Sequence, residues 1–239
     1  MKFVAKSKLP RLAREYYQGG AVVMWTHTLE GRARGWLDEA VHRRFREFLL
    51  HVAARYSLAC PCYVLMPDHW HLVWMGLKPS SDQLLATAFF RKHMQAMLGS
   101  VKLQDRAHDH VLRDEERKRG AFQAMCQYVL HNPERAGLCE DWREWPQLGA
   151  VVAGYPVFDP REPGFWEDFW KVRERLVAGR TDDESLRSRA GPQDGSSPAR
   201  EGREAKSAVG FDDEFLRSRA GLRQASSPAR EGRDRRETR

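Results

Sequence analysis

Two histidines stand one residue apart in the run Tyr63-Val-Leu-Met-Pro-Asp-His69-Trp-His71-Leu-Val-Trp-Met75. On a β-strand alternate side chains share a face, so His69 and His71 point the same way, with Val73 and Met75 beyond them. Trp70, Leu72 and Trp74 line the other face. Histidines so placed have Cα atoms roughly 6–7 Å apart, and both rings can reach one metal ion at roughly 2.0–2.2 Å. A bare His-x-His also arises by chance, so the pair alone does not decide. A second constellation lies in Gln127-Tyr128-Val-Leu-His-Asn132-Pro-Glu-Arg-Ala-Gly137. Tyr128 and Asn132 are four apart, so on a helix they share a face and present a phenol and an amide to the same ion. Their bland alternative is a half-buried aromatic and a helix-terminal asparagine. Cys60-Pro-Cys62 lies near the histidines and raises a mixed zinc site, although its spacing is tighter than the usual zinc knuckle.

These groups need a scaffold, and the apolar pattern outlines one. Gly19-Gly20 precedes an apolar run over Ala21–Thr26, read as the first strand. Residues 36–56 have helical spacing, with Leu37, Val41, Phe45, Phe48, Leu49 and Val52 as the stripe. Leu58–Met66 and His69–Leu77 form a hairpin turned at Pro67-Asp68. Ser80 or Ser81 caps the next helix, with Asp82 at its positive end, and Gly99 stops it after Leu98. Residues 100–112 read as irregular. A helix then spans Asp114–Asn132 and is ended by Pro133. A fourth strand over Ala150–Tyr155 and an amphipathic helix over Phe165–Val177 follow. This order predicts an α+β fold, a ferredoxin-like antiparallel sheet with helices packed on one face and the other open for the histidines or a ligand.

The 239 residues suffice for one sizeable domain and a tail, and eight tryptophans with 41% hydrophobic residues support a real core. We expect a basic N-terminal arm over 1–15, the domain over 16–180 and a disordered tail over 181–239. In the tail Asp182–Gly191 recurs as Asp212–Gly221, and Ser196–Arg203 as Ser226–Arg233. Two such Ser-, Gly- and Arg-rich copies cannot bury a core. Four cysteines without a CxxC pair suggest no secreted disulfide framework. No apolar run approaches a membrane span and no signal-peptide segment opens the chain, so the expected location is a reducing cytoplasm. Formal net charge is +7, and residues 1–180 hold 27 basic against 21 acidic groups. A basic body is the electrostatic footprint of a nucleic-acid partner. In the arm, Lys2, Lys6, Lys8, Arg11 and Arg14 either lie on phosphates or form a frayed terminus.

Three stretches occur in order over about residues 15–155: Met66-Pro-Asp-His-Trp-His-Leu-Val73, Asp109-His-Val-Leu-Arg113 and Tyr128-Val-Leu-His-Asn-Pro-Glu-Arg-Ala-Gly-Leu138. Together they resemble the REP-associated tyrosine transposases, within the wider group of HUH single-tyrosine transposases. The resemblance implies a ferredoxin-like domain that nicks and rejoins single-stranded DNA, without external energy, through a 5′-phosphotyrosine intermediate. It implies Tyr128 as the nucleophile and His69, His71 and Asn132 as holders of a divalent metal. Asp109, His110 and Arg113 match another family motif but receive no chemical role. The first strand, Val22–Thr26, lacks the histidine-containing pattern of many members. Magnesium or manganese suits the implied chemistry, and imidazole ligands keep zinc open. The implied partner is single-stranded or hairpin DNA, bound by a monomer or a homodimer. Arg91, Lys92, Arg117, Lys118 and Arg119 are candidates for tracking the DNA backbone, and Trp70 or Trp74 for stacking on bases. Each has a plainer alternative as a solvated charge or a core aromatic. Two other functions compete: a domesticated, cleavage-inactive binder of palindromic DNA repeats, and a small zinc hydrolase using Cys60, Cys62, His69 and His71. Against the last, the chain has no HExxH helix.

Overall fold

The structure, a computed structural model, describes residues 11–113, 120–155 and 158–179. Strands β1 (Val22–Thr28), β2 (Leu58–Met66) and β3 (His69–Gly76) are buried at nearly every position, as short, continuously apolar runs should be. With β4 (His108–Leu112) and β5 (Leu148–Val152) they make a five-stranded antiparallel sheet in the order β4-β1-β3-β2-β5. Helix α1 (Glu39–Tyr56) joins β1 to β2, and α2 (Gln83–Leu98) joins β3 to β4. The first four strands and two helices thus form the ferredoxin-like βαββαβ unit, and the α+β class read from the sequence holds. The place of the fourth strand does not. It is formed by 108–112, read as irregular, whereas 148–152 makes a fifth strand on the opposite edge. An edge strand opening His108-Asp109-His110 has no apolar run to betray it.

One face carries α1 and α2. There Val23, Trp25, Tyr63, Trp70, Leu72 and Trp74 meet Phe45, Leu49, Phe90 and Met94. The Phe90 ring stands edge-on to Phe45, Trp70 and Trp74, with centroids 5.3, 6.3 and 5.8 Å away. Contacts of this kind contribute about 0.5–1.5 kcal/mol each beyond burial. The other face is not left open as expected. Helices α3 (Ala121–Leu130) and α5 (Phe165–Val177) cover it, burying Met125, Cys126, Val129, Phe165, Phe169 and Val172 with Val64, Met66, Val73 and Met75. Those strand positions are apolar on both sides, and leaving them wet would cost about 25 cal/mol per Å². Around α3, residues 114–119 lie outside the described part. At its other end α3 stops at Leu130, just ahead of Pro133 as expected, and Asn132-Pro133 then opens the short α4 (Asn132–Arg135). Proline suits a first helical turn, where its missing N–H has no partner to lose.

The cap of α2 is Asp82 itself, not Ser80 or Ser81. Its Oδ1 accepts from the backbone N–H of Leu84 and Leu85, both at 3.0 Å, and its Oδ2 from Arg14 at 2.7 Å and Gln18 at 3.0 Å. The Ser81 hydroxyl donates instead to the Ser57 carbonyl, 2.7 Å away. Asp82→Ala is expected to lower stability by about 1–3 kcal/mol, read as a lower urea midpoint at unchanged m value. No helix among the described residues is long and apolar enough to cross a membrane.

Candidate functional site

His69 and His71 share one face of β3, and their Nε2 atoms lie 3.1 Å apart. Both Nδ1 atoms turn the other way, His69 to Asp68 Oδ1 at 2.6 Å and His71 to Thr26 Oγ1 at 2.8 Å. A carboxylate only accepts, so His69 Nδ1 carries a proton, and in the neutral ring Nε2 offers a lone pair. The Thr26 hydroxyl takes either role, and when it accepts, His71 Nε2 is bare as well. His71 is held neutral: burial, then the charges of His69, Arg135 and Arg32, lower its pKa to about 3. When the Thr26 hydroxyl donates, His71 Nε2 carries the proton and donates to His69 Nε2; in the first tautomer two lone pairs face each other, an arrangement that a cation would stabilise. Nitrogens about 2.1 Å from one ion and at right angles lie about 3.0 Å apart, so the pair fits a divalent metal. A carboxylate behind a ligating histidine is also the arrangement that fixes ring and tautomer at metal sites.

Tyr128 reaches this pair within a single chain. Helix α3 buries Met125, Cys126, Val129 and Leu130 against the sheet, and Tyr128 falls off that stripe, 40% exposed. Its ring meets His71 edge-on, with centroids 5.9 Å apart and planes at 77°. Arg135, from α4, stacks on the same tyrosine with Cζ 4.5 Å from the ring centroid. Asn132 follows Tyr128 by one turn, and its amide nitrogen donates to the Tyr128 and Val129 carbonyls at 2.7 and 3.4 Å. The amide nitrogen thus closes the end of α3, and Oδ1 is the atom that can ligate.

The remaining candidates are dispersed. Asp109 accepts from Arg11 Nε at 3.1 Å and from the Tyr17 hydroxyl, so it ties β4 to the segment before β1. His110 lies on β4 opposite Met24, and Arg113 follows the strand. Arg91, a candidate for DNA contact, is half-buried and engaged within the fold. Its Nη2 donates to the Gln104 and Asp105 carbonyls, in the irregular stretch between α2 and β4. Lys92 is exposed on α2, on the side of the sheet away from Tyr128. Arg117, Lys118 and Arg119 lie outside the described residues, as do Lys2, Lys6, Lys8 and the tail. Arg11 and Arg14 of the expected arm are engaged within the fold by Asp109 and Asp82. Trp70 and Trp74 are fully buried under α1 and α2, which rules out base stacking.

The apolar pattern ends β1 too early. The strand runs to Thr28 and carries His27, fully buried and stacked on Trp70 with centroids 5.2 Å apart. His27 is on the face opposite His71, so it belongs to the core. The thiols do not join the histidines either. A register shift at Pro61 separates Ala59 from Cys62, as a proline lodged in a strand requires. It turns Cys60 to the α1–α2 face and Cys62 to the α3 face. Among the described residues no three His, Cys, Asp or Glu side chains are grouped to hold a metal. Sequence reasoning misses Thr26, Asp68, Arg32 and Arg135 altogether. Asp68 and Arg135 stand inside the motif stretches, but Thr26 becomes visible only through its register opposite His71.

No protein-family model matches the chain, and no curated protein matches it. Among solved structures, a REP-associated tyrosine transposase bound to a REP hairpin is similar, at 21% identity and a TM-score of 0.50. The match covers 59% of this chain and 81% of that one. At this identity the likeness is one of fold.

Proposed function

We propose that this chain nicks and rejoins single-stranded, hairpin-forming DNA, with Tyr128 as nucleophile and a divalent metal held by His69, His71 and Asn132. The observation that carries the reading is the approach of Tyr128 to His71, whose Nε2 converges with that of His69. The hairpin bound in the similar transposase supports the choice of substrate. The Tyr128 oxygen attacks the phosphorus of a phosphodiester, and the bond to the 3′ oxygen breaks. The phenolic proton is lost and the departing 3′ oxygen gains one. The new ester is a 5′-phosphotyrosine, which keeps the bond energy, so a 3′-hydroxyl of the same or another strand can reverse the step. A phenol is a weak nucleophile at neutral pH. A bound metal would neutralise charge building on the phosphate oxygens, a task open to magnesium, manganese or zinc. Asp68 and Thr26 hold the two imidazoles in place, and Arg135 holds the tyrosine ring.

Incubation with single-stranded DNA hairpins and magnesium or manganese should yield a denaturant-resistant protein–DNA adduct. A chelator should remove it, and His69→Ala or His71→Ala should lower its rate by about 100-fold or more. Salt-sensitive hairpin binding without strand breakage under any divalent ion would overturn the reading in favour of a plain repeat-binding protein.

A further inference from the structure

Two guanidinium groups frame the histidine pair, and the chemical steps above do not require either to touch DNA. Arg32 lies in the turn after β1. Its Nη1 donates to Asp68 Oδ2 at 3.2 Å, while Asp68 Oδ1 accepts from His69. The Asp68 side chain is 15% exposed and that of Arg32 62%, so the carboxylate anchors one edge of the fork and the rest stands in solvent. The turn is left-handed at two successive residues, Gly31 with φ 60° and Arg32 with φ 55°. That conformation is strained for a non-glycine residue, and the bond to Asp68 helps hold it.

Arg135 joins the site through Tyr128, whose ring meets His71. It is exposed, rests on the Tyr128 ring, and no carboxylate among the described residues pairs with it. Its neighbour Glu134 is turned away, accepting from His131 at 2.6 Å and from the Trp142 N–H at 2.7 Å. Two guanidiniums and one carboxylate thus stand around the imidazole pair, an excess of positive charge. Cations gathered in this way repel one another until an anion lies between them. The planar forks match phosphate oxygens bidentately.

We propose that Arg32 and Arg135 are the phosphate-binding arms of this site, gripping the backbone of a single strand laid across His71 and Tyr128. Because Arg135 touches the tyrosine ring, the phosphate it holds is brought beside the phenol. The choice of a DNA strand rests on the nicking reading, but binding by the two arms does not depend on cleavage.

The test is the salt dependence of binding to oligothymidylate, with chelator present so that no metal contributes. For the Arg32→Gln, Arg135→Gln pair the slope of log affinity against log salt should fall by about 1.4, since each contact on a single strand adds about 0.7. The Arg32→Lys, Arg135→Lys pair should keep the parental slope. So should Arg55→Gln, placed on α1 over Phe89 on the far side of the sheet. A parental slope in the glutamine pair overturns the proposal, as does an equal loss in the lysine pair, which would mark a packing role. Adduct formation is read separately. If the slope falls but no hairpin gives an adduct, the arms stand and the nicking reading falls. If adducts form at the parental rate and the slope is unchanged, the nicking reading stands and the arms fall.

Discussion

Tyr128→Phe is expected to abolish the protein–DNA adduct while leaving the fold and DNA affinity as they were. The substitution removes one oxygen from a side chain that is 40% exposed. The ring stays, and with it the edge-on contact to His71 and the Arg135 stack. Surface changes of this kind fall within about 0.5 kcal/mol, so the melting temperature should move by less than about 2 °C. If Tyr128 is the nucleophile as proposed, its loss is another matter, because no second group takes over its bond. The rate should fall on the order of 10⁴-fold or more, the scale seen when a nucleophile is deleted from other enzymes. Gel analysis of denatured complexes measures the adduct, and titration of labelled hairpin measures affinity. An adduct in Tyr128→Phe at the parental rate would assign the attack to another residue. Loss of binding together with the adduct would make Tyr128 a packing residue.

Lowering the pH from 7 to 4 should unfold the metal-free protein, and buried histidines are the reason. His27 has no exposure, and its pKa lies well below the usual imidazole range because of desolvation, then the charges of Arg91 and Arg11. His42 is lowered to about 4 by burial, Arg46 and Arg161, and His71 to about 3 by burial and its neighbours. In the unfolded chain each titrates near 6.5. Between these limits the unfolded state binds more protons than the native state, so stability rises with pH. It is fully present above about pH 6.5 and is lost as pH falls towards the folded-state values. Two imidazoles kept neutral give a slope approaching about 3 kcal/mol per pH unit near pH 5. His42, partly exposed, adds less. Against a typical total of about 5–15 kcal/mol, little remains at pH 4. Urea midpoints at pH 7, 6, 5 and 4 measure the effect, and His27→Gln should remove about one proton from the slope. A flat midpoint between pH 7 and 5 would show that these imidazoles are protonated in the fold.

The sequence patterns that proved legible were those whose physical signal is local. The β2–β3 hairpin announces itself through two apolar runs punctuated by Pro67-Asp68, and α1 and α2 through their stripes and caps. Alternation alone predicted a shared face for His69 and His71, and helical spacing one for Tyr128 and Asn132. What stayed hidden depends on partners far along the chain. Asp109 reads as a motif residue without a task until Arg11 and Tyr17, more than ninety positions away, are found on it. Strand β4 has too little apolar content to declare itself, and the register shift at Pro61 reverses the face that simple alternation assigns to Cys60 relative to Cys62. The second helical layer is invisible because α3 finds its place by matching Val64 and Val73, a surface that exists only once the sheet is built.

Strand β3 keeps its two duties on separate faces, and this shapes what the chain can become. Trp70, Leu72 and Trp74 secure the core, while His69 and His71 look towards Tyr128. Chemistry here rests on side chains that bury little apolar surface, so losing it removes little of the free energy that keeps the protein folded. On the proposed reading, a lineage can let Tyr128 or a histidine of the pair lapse in one mutational step and still inherit the same sheet, with Arg32 and Arg135 at its polar end. Descent from a cutting enzyme to a silent DNA-binding protein needs no passage through an unfolded ancestor.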